Sequence, residues 1–233
     1  MRFVPIKSIE QQSILVLHRT RELMVRQKTM ITNALRAHFA EFGVIVPQSA
    51  VNVRKIADML ECPDQCPLPE IARITLILLA EQLRSLEMRL QQIENKLRAW
   101  HRDSEASRRL ATIPGVGLIT ATAIVATVGD AKQFQSGRQF AAWLGLVPRQ
   151  NSSGGKQRLG RISKRGDAYL RRLLVHGARS VLRWAKQKPG GQYAWLSCLM
   201  QRRPTNIATV ALANKNARIA WALLTRKETY QHI

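Results

Sequence analysis

From residue 8 to residue 42 apolar positions return at helical intervals, with Ile14, Leu17, Met24, Ile31, Leu35 and Phe42 on one stripe that Gly43 ends. Ser8 followed by Gln11 supplies a capping-box-like start, so the spacing predicts one long helix. Arg21 and Lys28 interrupt its apolar face, which indicates partial burial and no special role. A connector runs from Phe42 to Pro69 with a short helical piece near Val53 to Leu60 and the loop ECPDQCPLP. The pattern is sharpest between Leu68 and Arg102. Leu76, Leu83, Leu90 and Leu97 recur at heptad spacing, with Ala72, Leu79, Leu86, Ile93 and Trp100 interleaved, and Glu81, Arg84, Glu87, Arg89, Glu94 and Lys96 lie between the seams. Such a seam needs a partner. An intramolecular hairpin with the first helix is one solution. A homodimer is the other, and the narrowness of the seam leans toward it.

After a polar bridge at residues 103 to 110 the pattern changes. Ile113, Pro114, Gly115, Val116 and Gly117 resemble the turn of a helix-hairpin-helix, in which glycines allow the tight turn and amides at the next helix start can receive a phosphate. A compact helix–helix turn in the core has the same pattern. Leu118 to Val128 is almost wholly apolar or Thr and reads as a buried helix, and Phe134 to Leu144 reads as another that Gly145 stops. In GLVPRQNSSGGKQRLGRISKRGDAYLRRLL, from Gly145 to Leu174, a Gly- and Ser-rich loop passes through cations into an amphipathic helix capped by Asp167. Leu170, Leu173, Leu174, Gly177, Val181, Trp184 and Ala185 form its packing side, and Arg172, Arg179, Arg183 and Lys186 the opposite stripe. Pro189 to Gln192 reads as a turn, followed by closing helices over Tyr193 to Arg203 and Asn206 to Leu224 and a frayed tail. In the last helix Asn214 and Arg218 share the inward side, where they fit a buried network or a groove equally well.

Composition gives this picture a sign. The 233 residues hold 37 Lys plus Arg against 15 Asp plus Glu, a net charge of +22 and a pI near 11.3. Beyond Asp130 the only acids are Asp167 and Glu228. Lys156, Arg158, Arg161, Lys164 and Arg165 therefore have no carboxylate in their own segment, and their mixture with Ser, Gly and Gln suits phosphate contacts. The helix stripe lacks acids at four-residue spacing as well, so nucleic acid is the expected partner, with salt-sensitive binding. No apolar run approaches the roughly 18 residues that cross a bilayer, and no signal peptide is visible, so the expectation is a cytoplasmic protein without a membrane partner. Cys62 and Cys66 offer at most half a zinc site, and no His or Cys cluster supplies the rest; with Cys198 they read as reduced thiols.

The segments IPGVG, QFAAWLGLVPRQNSSGGKQRLGRISKRGDAYLRRLL and ARIAWALL resemble the C-terminal portion of a bacterial insertion-sequence transposase of the 110/1111 class, also called 116/902. MRFVPIKSIEQQ resembles the segment that follows the RuvC-like domain of those enzymes, so the likeness covers nearly the whole chain. The resemblance implies a recombinase guided by its own noncoding RNA and dimeric, or of higher order, through the coiled coil. In that class a serine attacks the scissile phosphate and holds the DNA as a phosphoserine; the matching position is Ser153, with Ser152 adjacent. The four acidic metal ligands of the class have no counterpart here. No cofactor is therefore expected on this chain, with Mg2+ expected only alongside a RuvC-like domain. The sequence reads as a truncated transposase that binds nucleic acid but does not complete transposition alone.

The expected fold is mainly α: residues 1–67 as N-terminal helix and connector, 68–103 as coiled coil, and 104–233 as a compact helical domain with a helix-hairpin-helix-like turn and room for a short β-hairpin across Val147 to Ile162. The site assignment is Ser153 for catalysis, with Lys156, Arg158, Arg161, Lys164, Arg165, Arg172, Arg179, Arg183, Gly115 and Gly117 for DNA and guide RNA. Two non-catalytic alternatives remain, a nucleic-acid-binding dimer and a helix-hairpin-helix architectural module.

Overall fold

A computed structural model describes residues 6–63, 66–187 and 193–231; the turn expected at Pro189 to Gln192 lies outside them. The chain is mainly helical, and its contacts divide it into two compact units, Met1–Leu15 with Leu97–Ile233, and Val16–Lys96.

Helix α1 (Ile9–Glu41) starts on a reciprocal cap, with the Gln11 amide donating to Ser8 Oγ at 3.1 Å and the Ser8 amide to Gln11 Oε1 at 2.9 Å. Within Val16–Lys96, α1 packs with α2 (Ala50–Glu61) and α3 (Glu70–Asp103) around Ile31, Leu35, Phe39, Ile56, Leu60, Leu76, Ala80, Leu83 and Leu86. The heptad seam is thus buried inside the protomer, and Leu90, Ile93 and Leu97 are buried as well. Arg21 pairs with Glu94 at 2.7 Å and Lys28 with Glu87 at 2.6 Å. These pairs step seven residues up one helix and seven down the other, which sets an antiparallel register. Arg21 and Lys28, which interrupt the stripe in the sequence, are therefore its cross-links. Phe39 occupies the core, whereas Phe42, beyond the helix end at Glu41, is 43% exposed.

In the other unit, α4 (Glu105–Ala111), α5 (Leu118–Val128), α6 (Gly137–Trp143), α7 (Ala168–Gln187), α8 (Ala194–Arg202) and α9 (Thr205–Arg226) surround a single apolar core. α5 is buried along its length, as its composition predicts. α9 packs on α7 and on α6, closely at Gly137: a Cβ there would lie 3.0 Å from the Arg218 carbonyl oxygen. Between α6 and α7 strands β1 (Pro148–Gln150) and β2 (Leu159–Ile162) pair antiparallel with an irregular register, Pro148 opposite Ile162 and Gln150 opposite Leu159.

Candidate nucleic-acid interface

The β1–β2 hairpin is anchored at its base and open at its tip. Gly145 has φ +72°, and a Cβ on it would come within 2.1 Å of the Arg165 carbonyl oxygen; one on Gly166, at φ +88°, would come within 1.8 Å of the Trp143 carbonyl oxygen. No other residue permits both approaches. The Lys164 amide donates to Gly145 O at 3.1 Å and the Ser163 amide to Val147 O at 2.8 Å, while Arg171 Nη1 reaches Leu144 O at 3.0 Å. Behind this base Phe134, Phe140 and Trp143 pack ring to ring at centroid distances of 5.2 to 5.8 Å. The base is therefore a fixed platform.

At the tip Ser153 bridges Lys156, with Gly154 (φ +55°) and Gly155 (φ +76°) between them. Two central residues at positive φ are what a type I′ turn demands, and Gly-Gly meets the demand without strain. A Cβ on either glycine would touch nothing within 4 Å. The two serines differ. Ser152 Oγ accepts from the Arg158 amide at 3.1 Å and so holds the strands together, whereas Ser153 Oγ has no hydrogen-bond partner among the described residues. Lys156, Arg158, Arg161, Lys164 and Arg165 are all exposed along this hairpin.

α7 starts where the sequence predicts, with Asp167 Oδ1 accepting from the Leu170 amide at 2.9 Å. Its buried side is Leu170, Leu174, Ala178, Val181, Leu182 and Ala185. Trp184 does not belong there: it is 60% exposed, on the flank of the apolar stripe. Arg172, Arg179, Arg183 and Lys186 are exposed. Arg172 sits over the Tyr169 ring at 5.4 Å, and Arg179 Nη2 donates to Asn206 Oδ1 at 3.2 Å. The stripe is thus an ordered outer face held by its neighbours.

Gly115 and Gly117 have different roles. Gly115, at φ +87°, lies against α7 so closely that a Cβ on Gly177 would fall 1.7 Å from the Gly115 carbonyl oxygen. This glycine pair is a packing contact, and Asn216 fixes it from α9 by donating to Pro114 O at 2.8 Å. Gly117 is exposed and precedes α5 without a side-chain cap. Asn214 donates to Leu146 O at 3.2 Å, tying α9 to the hairpin base. Sequence reasoning missed Arg171, and it reads Gly166 as the entry to α7 without its approach to Trp143 O; both partners are backbone carbonyls more than twenty residues away. Among the described residues no group of three or more His, Cys, Asp or Glu side chains is placed to hold a metal ion. Cys62, Cys66 and Cys198 are free thiols, and no described helix is long and apolar enough to cross a membrane.

The unit is a helical domain that holds one basic hairpin and one basic helix at its surface, and comparison with known proteins gives it a family. Residues 107–194 match the family described as Transposase IS116/IS110/IS902. A probable family 20 transposase of Pseudomonas aeruginosa is 47% identical over 99% of this chain and 69% of its own length. The transposase for insertion sequence element IS1111A of Coxiella burnetii is 42% identical over 99% of the chain and 64% of its own length, and that for IS1328 of Yersinia enterocolitica 38% over 97% and 67%. The chain belongs to the IS116/IS110/IS902 family of insertion-sequence transposases, and it spans about two thirds of the length of these relatives.

Proposed function

We propose that the chain binds DNA through the β1–β2 hairpin and the outer stripe of α7, and that Ser153 is the nucleophile of a phosphoryl-transfer step in DNA transposition. One observation carries this reading. Of two adjacent serines, Ser152 is committed to the hairpin's own hydrogen bonding, and Ser153 keeps its hydroxyl free at a glycine turn where a phosphate meets no Cβ. In the step, an Oγ–P bond forms, a P–O bond to the sugar breaks, and the hydroxyl proton leaves to solvent as the sugar oxygen is protonated. A serine hydroxyl is weak at neutral pH, so the negative charge developing on the phosphate oxygens must be stabilised. Lys156, Arg158 and Arg161 supply part of that stabilisation. Arg172, Arg179 and Arg183 hold the flanking phosphates, and a noncoding guide RNA offers the same chemistry to the same cations.

Among the described residues no group of three or more His, Cys, Asp or Glu side chains is placed for a two-metal carboxylate site. In this reading the acidic ligands and their Mg2+ belong to a RuvC-like domain beyond this sequence, and the chain binds nucleic acid without completing transposition alone. Dimerisation follows a different face from the heptad seam, which is consumed within the hairpin of α1 and α3; Ile71, Ile74 and Leu78 of α3 are exposed and available. A second reading is a nucleic-acid-binding module indifferent to Ser153. It is favoured by the exposed cations of the α7 stripe, which can grip phosphates with no help from a serine.

The test is a nicked or suicide duplex incubated with the full chain and resolved on a denaturing gel. A covalent adduct that is lost in Ser153→Ala and kept in Ser152→Ala supports the nucleophile. Retention of the adduct in Ser153→Ala contradicts it, and tight binding without any adduct favours the second reading. For a helix-hairpin-helix contribution the useful variant is Gly117→Ala, since Gly115 cannot be changed without disturbing α7.

A further inference from the structure

A groove of about 1880 Å³ runs beside α9, walled by β2, the start of α6 and α8. Its floor is apolar: Trp195 is 45% exposed, Ile207 52% and Leu159 64%, and the half-buried Trp221 has its indole N–H engaged by Ala131 O at 3.1 Å. Its rim is cationic, with Arg138, Arg161, Lys164, Lys215 and Arg218 and no carboxylate among the lining residues. Lys215 Nζ lies 4.5 Å from the Trp195 ring centroid, so a cation already rests on the aromatic face.

We propose that this groove receives unpaired nucleotides, with bases on the Trp195 floor and phosphates along the cationic rim. A paired duplex keeps its base faces stacked internally and has no use for exposed tryptophan, isoleucine and leucine. An unpaired strand presents both an apolar face and a phosphate at every nucleotide, the combination that single-strand sites meet with aromatics inside a basic channel. Charge argues against a second copy as occupant, because each copy carries a net +22. The groove also continues the proposed DNA interface at both ends. Arg161 and Lys164 belong to the hairpin segment, and Asn206 on the groove wall is the partner of Arg179 on the α7 stripe. A strand separated from a duplex held on α7 enters the groove without crossing an acidic surface. The inference rests on the nucleic-acid reading above and adds to it a subsite that distinguishes unpaired from paired substrate.

The experiment measures binding of the full chain to a fluorescein-labelled oligothymidylate and, separately, to a blunt duplex, for the wild type, Trp195→Ala, Trp195→Phe and Lys215→Gln. Trp195→Ala is expected to weaken oligothymidylate binding about tenfold, the loss that accompanies one base–aromatic stack, while duplex binding changes less than about twofold. Trp195→Phe recovers most of the loss, and Lys215→Gln shows a smaller one confined to the single strand. Equal losses for both ligands, or no loss for either, overturn the proposal. So does a change in sedimentation of Trp195→Ala without nucleic acid, which makes the groove a contact between copies. Salt-sensitive duplex binding combined with groove variants that leave the single strand unaffected defeats this proposal alone. Failure of the wild type to bind the duplex defeats the DNA reading itself.

Discussion

The helical unit built on α1, α2 and α3 and the β-hairpin with α7 put the same types of cationic residue to opposite ends. In the first, Arg21, Lys28, Arg84 and Arg73 each face a glutamate, at Glu94, Glu87, Glu61 and Glu70. The first two pairs fix the register of α1 against α3, while Arg84–Glu61 joins α3 to α2 and Arg73–Glu70 lies within α3. In the second, the only acid before Glu228 is Asp167, and that carboxylate caps α7. The charge is left facing outward while glycines and backbone carbonyls do the positioning. Arginine content alone therefore says little about function; the placement of carboxylates decides which cations are available to a polyanion.

The comparison breaks most visibly at the glycines. Gly177→Ala forces a methyl group into the Gly115 carbonyl, and thermal unfolding should report a loss of about 3 kcal/mol, the upper range for overpacking. A loss below about 1 kcal/mol would mean that the two backbones separate easily and that α7 is not rigidly seated.

The helical hairpin has its own sensitivity, to acid. His18 is 1% exposed, and burial, reinforced by the Arg21 charge, lowers its pKa from 6.5 to about 4. A depressed histidine favours the folded state fully above the unfolded value, and that contribution is lost as pH falls from 6.5 through about 4. The lost stability should amount to roughly 3 kcal/mol, read as a falling denaturation midpoint that His18→Gln flattens.

Smaller still is the Arg21–Glu94 pair, whose side chains are 23% and 32% exposed. A double-mutant cycle should assign it about 1 kcal/mol or less. A larger coupling would mean that ion pairs carry the hairpin's stability as well as its register.

Much of this was legible in sequence where the signal is local. Ser8 with Gln11, the Asp167 cap, the alternation of α7 and the glycine turn in a short hairpin all follow from spacing a few residues long. The misplacements share a cause. Periodicity defines a stripe without saying what covers it, so it places Phe42 where the core holds Phe39, puts Trp184 on the packing side although it is exposed, and leaves the choice between α1 and a second copy as partner of the heptad seam open, with a lean toward the copy. Arg171 and the close backbone approaches of Gly166 and Gly177 are not legible in the sequence, because their partners are carbonyls on other elements. The groove beside α9 is assembled from three separate segments, and only Asn214 and Arg218 hinted at it.

The most direct test of the contrast is the salt dependence of duplex affinity, measured for the wild type and for the variant with Arg172, Arg179 and Arg183 replaced by glutamine. Affinity should fall steeply with salt in the wild type. The variant's log–log slope should be shallower by about 3, near 0.9 for each phosphate that is no longer neutralised, with thermal stability nearly unchanged. An unchanged slope would contradict the account, because it would mean that the outward cations of α7 are as idle toward DNA as the paired cations of the helical hairpin.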